Sequence, residues 1–141
     1  MTDAALVLHK LSTLRDHVDR VRRRRPASAE MLRRDVDLQD ALAMSLLVAI
    51  QEAANIAFNI SADEGWGIPG SYADAFHMLA RHRVIDTPLA DELARTVAVR
   101  HRLAHGYATV DLDRLWTELP VGLGALDRYA AAIATFVSPP A

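Results

Sequence analysis

The chain contains no cysteine, and only one of its 16 lysine and arginine residues, Lys10, is a lysine. Without cysteine the protein has no disulfide, no thiolate nucleophile and no cysteine-held zinc or iron–sulfur site. Glycine and aromatic residues are also sparse, with 6 glycines and 6% Phe, Trp and Tyr. Alanine and leucine are abundant instead, and no segment shows sustained period-two alternation. This composition favours an all-α protein.

Long apolar segments are missing as well. The longest nearly apolar run, residues 41–50, is about half the length of a membrane span and predicts a buried helix. The first residues, Met1 to Leu6, lack the basic start and apolar centre of a signal peptide. We therefore expect a cytoplasmic protein that makes no membrane contact.

The 141 residues, 51% of them hydrophobic and 24% charged, suffice for one folded domain spanning 1–141. Apolar spacing and helix-ending residues predict an up-and-down bundle of four to five helices. An N-terminal helix with an arginine-rich end lies within residues 1–27, and the rest of the bundle within 28–137. The expected helices cover about 3–23, 28–60, 71–83, 87–105 and 113–137. Pro26 should end the first helix, Ser71 should cap the third, and the last should be kinked or broken around Pro120, Gly122 and Gly124.

The formal net charge is only −2, so any contact with nucleic acid must come from a local patch. Such a patch is offered by the four consecutive arginines Arg22, Arg23, Arg24 and Arg25, to which we add Arg102 as a candidate RNA contact. A solvated helix end is an equally good explanation of the run, because positive charge at a helix C-terminus complements the helix dipole.

The segment from Arg100 to Tyr107 concentrates reactive side chains at the end of an otherwise apolar helix. Arginine offers a planar, permanently charged fork for a phosphate, and histidine can move protons at neutral pH. Together Arg100 and His105 provide a cation for the phosphorane and a base for a 2′-hydroxyl, the minimum for cleaving RNA without a metal. Because one histidine cannot act on both sides of phosphorus, a two-fold dimer would supply the second.

These residues resemble the Arg-x4-His-x-Tyr motif of the HEPN superfamily, specifically its HepT-like toxins. The resemblance covers roughly residues 30–137 and implies a HEPN-like fold. Further positions similar to the family pattern are Asp37-Leu38-Gln39, Gln51-Glu52, Gly70-Ser71-Tyr72, Leu79-Ala80 and Val84-Ile85. One departure is His101, where this toxin group usually carries asparagine.

The resemblance implies a metal-independent endoribonuclease toxin that needs no cofactor and forms a homodimer with a composite cleft. Arg100 and His105 would be catalytic, and His101 would be a supporting polar residue in the same site. The expected partner is a minimal nucleotidyltransferase antitoxin, which in some pairs adenylylates the motif tyrosine, here Tyr107. Bulky negative AMP groups beside the arginine would then neutralise the phosphate site.

Other interpretations stay open on sequence grounds. A helix ending in His and Arg also fits dipole complementarity, with Gly106 as an ordinary C-cap. His101 and His105 have the spacing of two metal ligands, although no third ligand is apparent. The chain could also be a non-catalytic helical partner of a nucleotidyltransferase. Finally, Glu52 lies in an apolar stretch and could orient an active-site arginine.

Overall fold

The computed structural model of the chain describes residues 1–104 and 110–138. Within these two ranges all regular structure is α-helical, which confirms the all-α prediction. The described part contains more helices than the four to five expected: α1 (Ala4–Arg24), α2 (Ala29–Arg34), α3 (Val36–Asp63), α4 (Tyr72–Arg81), α5 (Thr87–Ala104) and α6 (Leu112–Val137).

The additional helix arises because the predicted helix over 28–60 is divided at Asp35. This residue is extended, with φ −120° and ψ 98°, and its side chain accepts a hydrogen bond from the Leu38 amide. The buried Gln39 side chain donates to the carbonyls of Leu32 and Arg33 at 2.8 and 3.2 Å, which satisfies the end of α2. Polar capping thus interrupts a stretch whose apolar spacing alone predicts one helix.

The last helix, α6, continues through Pro120, so the predicted break does not occur. Proline has no amide hydrogen, so the carbonyl four residues earlier, that of Trp116, loses its helical partner. Arg25 takes the place of that partner, donating from Nε and Nη2 to this carbonyl at 3.2 and 2.9 Å. A side chain from the end of α1 therefore supports the helix where its own hydrogen bonding fails.

The core is built around α3, which packs against every other helix. Tyr129 of α6 is fully buried, and its hydroxyl donates to the Ala53 carbonyl of α3 at 2.7 Å. Burial raises the pKa of Tyr129 well above its usual value, so the hydroxyl keeps its proton. The N-terminal helix shares this core through a stripe at helical spacing: Val7, Leu11, Leu14, Val18 and Val21.

Among the described helices, α3 alone is long and apolar enough to cross a membrane by length and composition. The most apolar 18 residues of this helix are 56% buried inside the bundle. Length and composition alone also fit a central core helix, and α3 occupies that position here.

Helices α4 and α5 form the hairpin that positions the motif. Ser71 caps α4, as predicted, because its hydroxyl accepts a hydrogen bond from the Asp74 amide at 3.0 Å. The short connection after α4 includes Arg83, which has a left-handed φ of 62°. The hairpin brings the beginning of α4 beside the last turn of α5.

Candidate active site

Helix α5 carries the motif arginine on its buried face. The helix is capped by the preceding residue, Asp86, whose carboxylate accepts a hydrogen bond from the Leu89 amide at 2.8 Å. Leu93 and Val97 are buried, and Arg100 follows them by seven and three residues, so it continues the same stripe. Arg100 is accordingly half-buried and points toward the bundle rather than into open solvent.

The guanidinium of Arg100 lies over the ring of Tyr72, with Cζ 5.1 Å from the ring centroid. Its Nε is buried and has no hydrogen-bond partner among the described residues. Within residues 1–104 and 110–138 the side chain forms no ion pair. A permanently charged group that is half-removed from water without an anion is poised to bind one.

The other motif residues fall into two groups, those on α5 and those outside the described ranges. His101 and Arg102 are exposed on α5, whereas His105, Gly106 and Tyr107 lie outside the described residues. The pairing of Arg100 with His105 and the modification of Tyr107 therefore stay predictions. On helical geometry Arg102 is about 160° around α5 from Arg100, so the two arginines serve different sides of the helix.

Arg102 lines a groove of about 320 Å³ between α5 and α6, here called the α5–α6 groove. Arg95 lies on the same side of α5, one heptad earlier, and lines it too. Neither of these guanidiniums forms an ion pair with another residue of the described ranges, whereas Arg114 is paired with Glu118 at 2.9 Å. The groove thus combines two arginines that have no ion pair in the described ranges with apolar side chains: Leu46, Val99, Leu115, Leu119 and Ala125. Glu92 and Glu118 line it too, and their carboxylates are paired with Arg128 and Arg114.

The arginine run at the end of α1 is largely engaged in internal contacts. Arg22 forms an ion pair with Asp127, and the resulting hydrogen bond raises the pKa of Arg22. Arg24 donates to the Ser45 hydroxyl at 3.3 Å, and Arg25 lies 4.0 Å over the Trp116 ring. Arg23 is exposed and, in the part of the chain that the structure describes, forms no hydrogen bond or ion pair.

Glu52 lies on the α1-facing side of α3, away from the motif. Its carboxylate is 4.0 Å from Nζ of Lys10, the single lysine of the chain. The hypothesis that Glu52 orients an active-site arginine therefore finds no supporting contact with Arg100.

Sequence reasoning missed Tyr72 as the residue that contacts Arg100. The signal was partly visible, since Gly70-Ser71-Tyr72 matched the family pattern and Ser71 was read as a helix cap. Periodicity could not predict that α4 packs beside the end of α5, because that is a tertiary contact.

Comparison with known proteins identifies a matching family and similar chains. The family model described as Ribonuclease HepT-like matches residues 14–133, and so includes part of α1, which the resemblance noted from the sequence did not reach. Among curated proteins, the mRNA nuclease HepT of Shewanella oneidensis strain MR-1 is 28% identical over 108 residues. That match covers 77% of this chain and 80% of the relative.

Two solved structures have the same architecture. A toxin–antitoxin crystal structure with AMP-PNP matches with a TM-score of 0.86 and 24% identity, covering 93% of this chain and 98% of that chain. The tri-AMPylated Shewanella oneidensis HEPN toxin, in complex with its MNT antitoxin, matches with a TM-score of 0.84 and 25% identity. This second match covers 96% and 99% of the two chains and confirms the HEPN-like fold.

Proposed function

Because the chain belongs to the Ribonuclease HepT-like family, we propose that it is the ribonuclease toxin of a toxin–antitoxin pair and cleaves cellular RNA without a metal ion. The observation that carries the proposal is Arg100, a half-buried guanidinium with no anionic partner in the described ranges, at the end of the motif helix. The curated relative is named an mRNA nuclease, which supports RNA as the substrate. We place the protein in the cytoplasm, where RNA and antitoxin are both available, as a single domain over 1–141.

In the proposed reaction Arg100 binds the scissile phosphate and stabilises the charge that develops on its oxygens. His105 removes the proton from the adjacent 2′-hydroxyl, whose oxygen attacks phosphorus and displaces the 5′-oxygen. The leaving oxygen receives a proton from the second histidine of a homodimer. The products are a 2′,3′-cyclic phosphate and a 5′-hydroxyl, and His101 supports the same site as a polar neighbour.

RNA beyond the scissile phosphate would contact the arginines that have no ion pair in the part of the chain that the structure describes. Arg102, together with Arg95, lies beside the apolar lining of the α5–α6 groove, a surface that suits a phosphate and an adjoining base. Arg23 is exposed and ready to meet a phosphate. Binding by Arg22, Arg24 or Arg25 must compete with the contacts that these side chains already make inside the protein.

The partner proposed for this toxin is a nucleotidyltransferase antitoxin that adenylylates Tyr107. Support comes from the solved relative, which is a tri-AMPylated toxin bound to an MNT antitoxin. Tyr107 follows Arg100 and Arg102 by seven and five residues. AMP phosphates this close in sequence would compensate the positive charge on which phosphate binding depends.

The test is RNA cleavage in EDTA by protein purified without its antitoxin, with the intact mass recorded to show whether AMP is attached. The unmodified wild type should cleave RNA, and Arg100→Ala and His105→Ala should both lose activity while keeping a helical circular dichroism spectrum. A folded, unmodified wild type that leaves RNA intact would overturn the proposal. If it leaves RNA intact both with and without EDTA, the chain would be a non-catalytic partner of the nucleotidyltransferase. Activity seen only without EDTA would point to a metal-dependent hydrolase.

A further inference from the structure

We propose that Tyr72 is a positioning residue for Arg100, holding its guanidinium in place with the face of the phenol ring. The proposal rests on the proposed function in one respect, namely that Arg100 binds the scissile phosphate. It adds a residue from outside the motif, on a different helix, whose contribution acts only through the motif arginine.

The ring of Tyr72 is itself firmly placed. It belongs to the first residue of α4, directly after Ser71, whose hydroxyl caps the helix at 3.0 Å from the Asp74 amide. The ring also meets Phe58 of α3 edge to face, with centroids 5.9 Å apart and planes at 67°. Two helices therefore fix the ring before the arginine lies over it.

Arg100 needs such a support because few other described residues hold its guanidinium in place. Arginine has a long side chain with several rotatable bonds, so it loses considerable freedom when its guanidinium is fixed. The Nε atom is buried without a hydrogen-bond partner, and no carboxylate pairs with the side chain in the described ranges. Among the described residues, the guanidinium makes one specific contact, the cation–π contact with the Tyr72 ring 5.1 Å from Cζ.

An aromatic face also suits the chemistry better than a carboxylate would. The ring attracts the cation through its quadrupole but accepts none of its in-plane N–H groups. A carboxylate would occupy those donors and cancel the charge that the phosphate must meet. Glu52, the acidic residue that could have oriented an active-site arginine, has its carboxylate beside Lys10 instead. Tyr72 thus orders Arg100 while leaving its donors available for the substrate.

The experiment compares Tyr72→Phe, which keeps the ring, with Tyr72→Leu, which removes it. We expect the Phe variant to keep cleavage near the wild-type rate. In the Leu variant kcat should fall by about 10- to 100-fold with a smaller change in KM, because a misplaced catalytic group costs rate more than ground-state binding. Phe76→Leu is the matched control, since it removes a buried aromatic ring that contacts Tyr129 instead.

A second measurement follows Arg100 itself and does not depend on activity. The NMR signal of its Nε–H group, assigned with Arg100→Lys, should report an ordered side chain in the wild type and in Tyr72→Phe. It should report a mobile one in Tyr72→Leu at unchanged overall fold. Equal order in the Leu variant, or equal loss of kcat in the Phe and Leu variants, would overturn the proposal. A wild type without ribonuclease activity would refute the proposed function, and the NMR comparison would still decide the positioning role.

Discussion

At the residue scale, several buried polar groups show how local environment sets chemical behaviour. Arg100 lies beside an aromatic face and has no anionic partner in the described ranges, whereas the Tyr129 hydroxyl donates to a backbone carbonyl. His17 of α1 is an intermediate case, because its Nδ1 is buried and has no hydrogen-bond partner among residues 1–104 and 110–138. Each of these side chains can be tested separately, because on folding each exchanges its hydrogen bonds with water for a different set of contacts inside the protein.

Tyr129→Phe should lower the free energy of unfolding by about 1 kcal/mol, the usual net value of an internal hydrogen bond. The substitution removes the 2.7 Å bond to the Ala53 carbonyl. It keeps the ring and its edge-to-face contact with Phe76, at a centroid distance of 5.5 Å. Urea denaturation measures the change, and an unchanged midpoint and slope would show that the buried hydroxyl contributes nothing.

His17 should make stability depend on pH just below neutrality. Its pKa is lowered from 6.5, first by burial and then by the charge of Arg20, with Arg24 adding a little and Asp16 and Glu52 opposing. Between the lowered pKa and 6.5 the unfolded chain binds more protons than the folded one, so stability falls as pH falls through this window.

In His17→Gln this part of the pH dependence should be weaker when urea unfolding is followed from about pH 7 to pH 5. His9→Gln, which removes an exposed imidazole from the same helix, is the matched control. A profile for His17→Gln that coincides with the wild type would contradict the assignment.

At the scale of the helices, the sequence predicted where most elements lie but not how they are completed. Ser71 and Pro26 marked helix ends correctly because their effects are local. The division at Asp35 was missed because apolar spacing continues across it. The continuity of α6 could not be foreseen either, since the group that satisfies the Trp116 carbonyl comes from Arg25, 91 residues away in sequence.

The same limit applies to the candidate site. The inward direction of Arg100 follows from its spacing after Leu93 and Val97, and so was accessible from the sequence. Its contact with Tyr72 depends on how α4 packs against α5, which no local pattern encodes.

Arg25 and Pro120 should be energetically coupled through the Trp116 carbonyl. Arg25→Met should cost about 1–3 kcal/mol, because it leaves a part-buried carbonyl without a partner and removes the cation–π contact. In a Pro120→Ala background the new amide can bond the same carbonyl, so Arg25→Met should cost less there. A double-mutant cycle by chemical denaturation measures the difference, and strictly additive costs would contradict the coupling.

At the scale of the whole molecule, the net charge is near neutral, but the arginines without an ion pair in the described ranges are unevenly distributed. Several arginines form ion pairs with carboxylates of the same chain: Arg22 with Asp127, Arg33 with Asp113 and Arg128 with Glu92. The arginines of α5 that form no ion pair within residues 1–104 and 110–138 lie on two sides of the helix, with Arg100 toward α4 and Arg102 at the α5–α6 groove. RNA binding should therefore depend on a few positions and weaken with salt to a limited degree.

The groove arginines can be separated from the catalytic one by their effect on kinetics. Arg95→Gln and Arg102→Gln should mainly raise KM and reduce the salt dependence of RNA binding, because they remove phosphate contacts remote from the reacting bond. Single-turnover cleavage at varied RNA and salt concentrations measures both quantities. Loss of kcat at unchanged KM in these variants would instead place them at the reacting phosphate.

The most direct test of the account is the cleavage of an end-labelled RNA by the unmodified protein in EDTA, with the chemical ends of the products determined. We predict cleavage that leaves a 2′,3′-cyclic phosphate and a 5′-hydroxyl, and a rate at least about 100-fold lower in Arg100→Ala, since that residue stabilises the developing charge. Products ending in a 3′-hydroxyl, or equal rates for wild type and Arg100→Ala, would contradict the account.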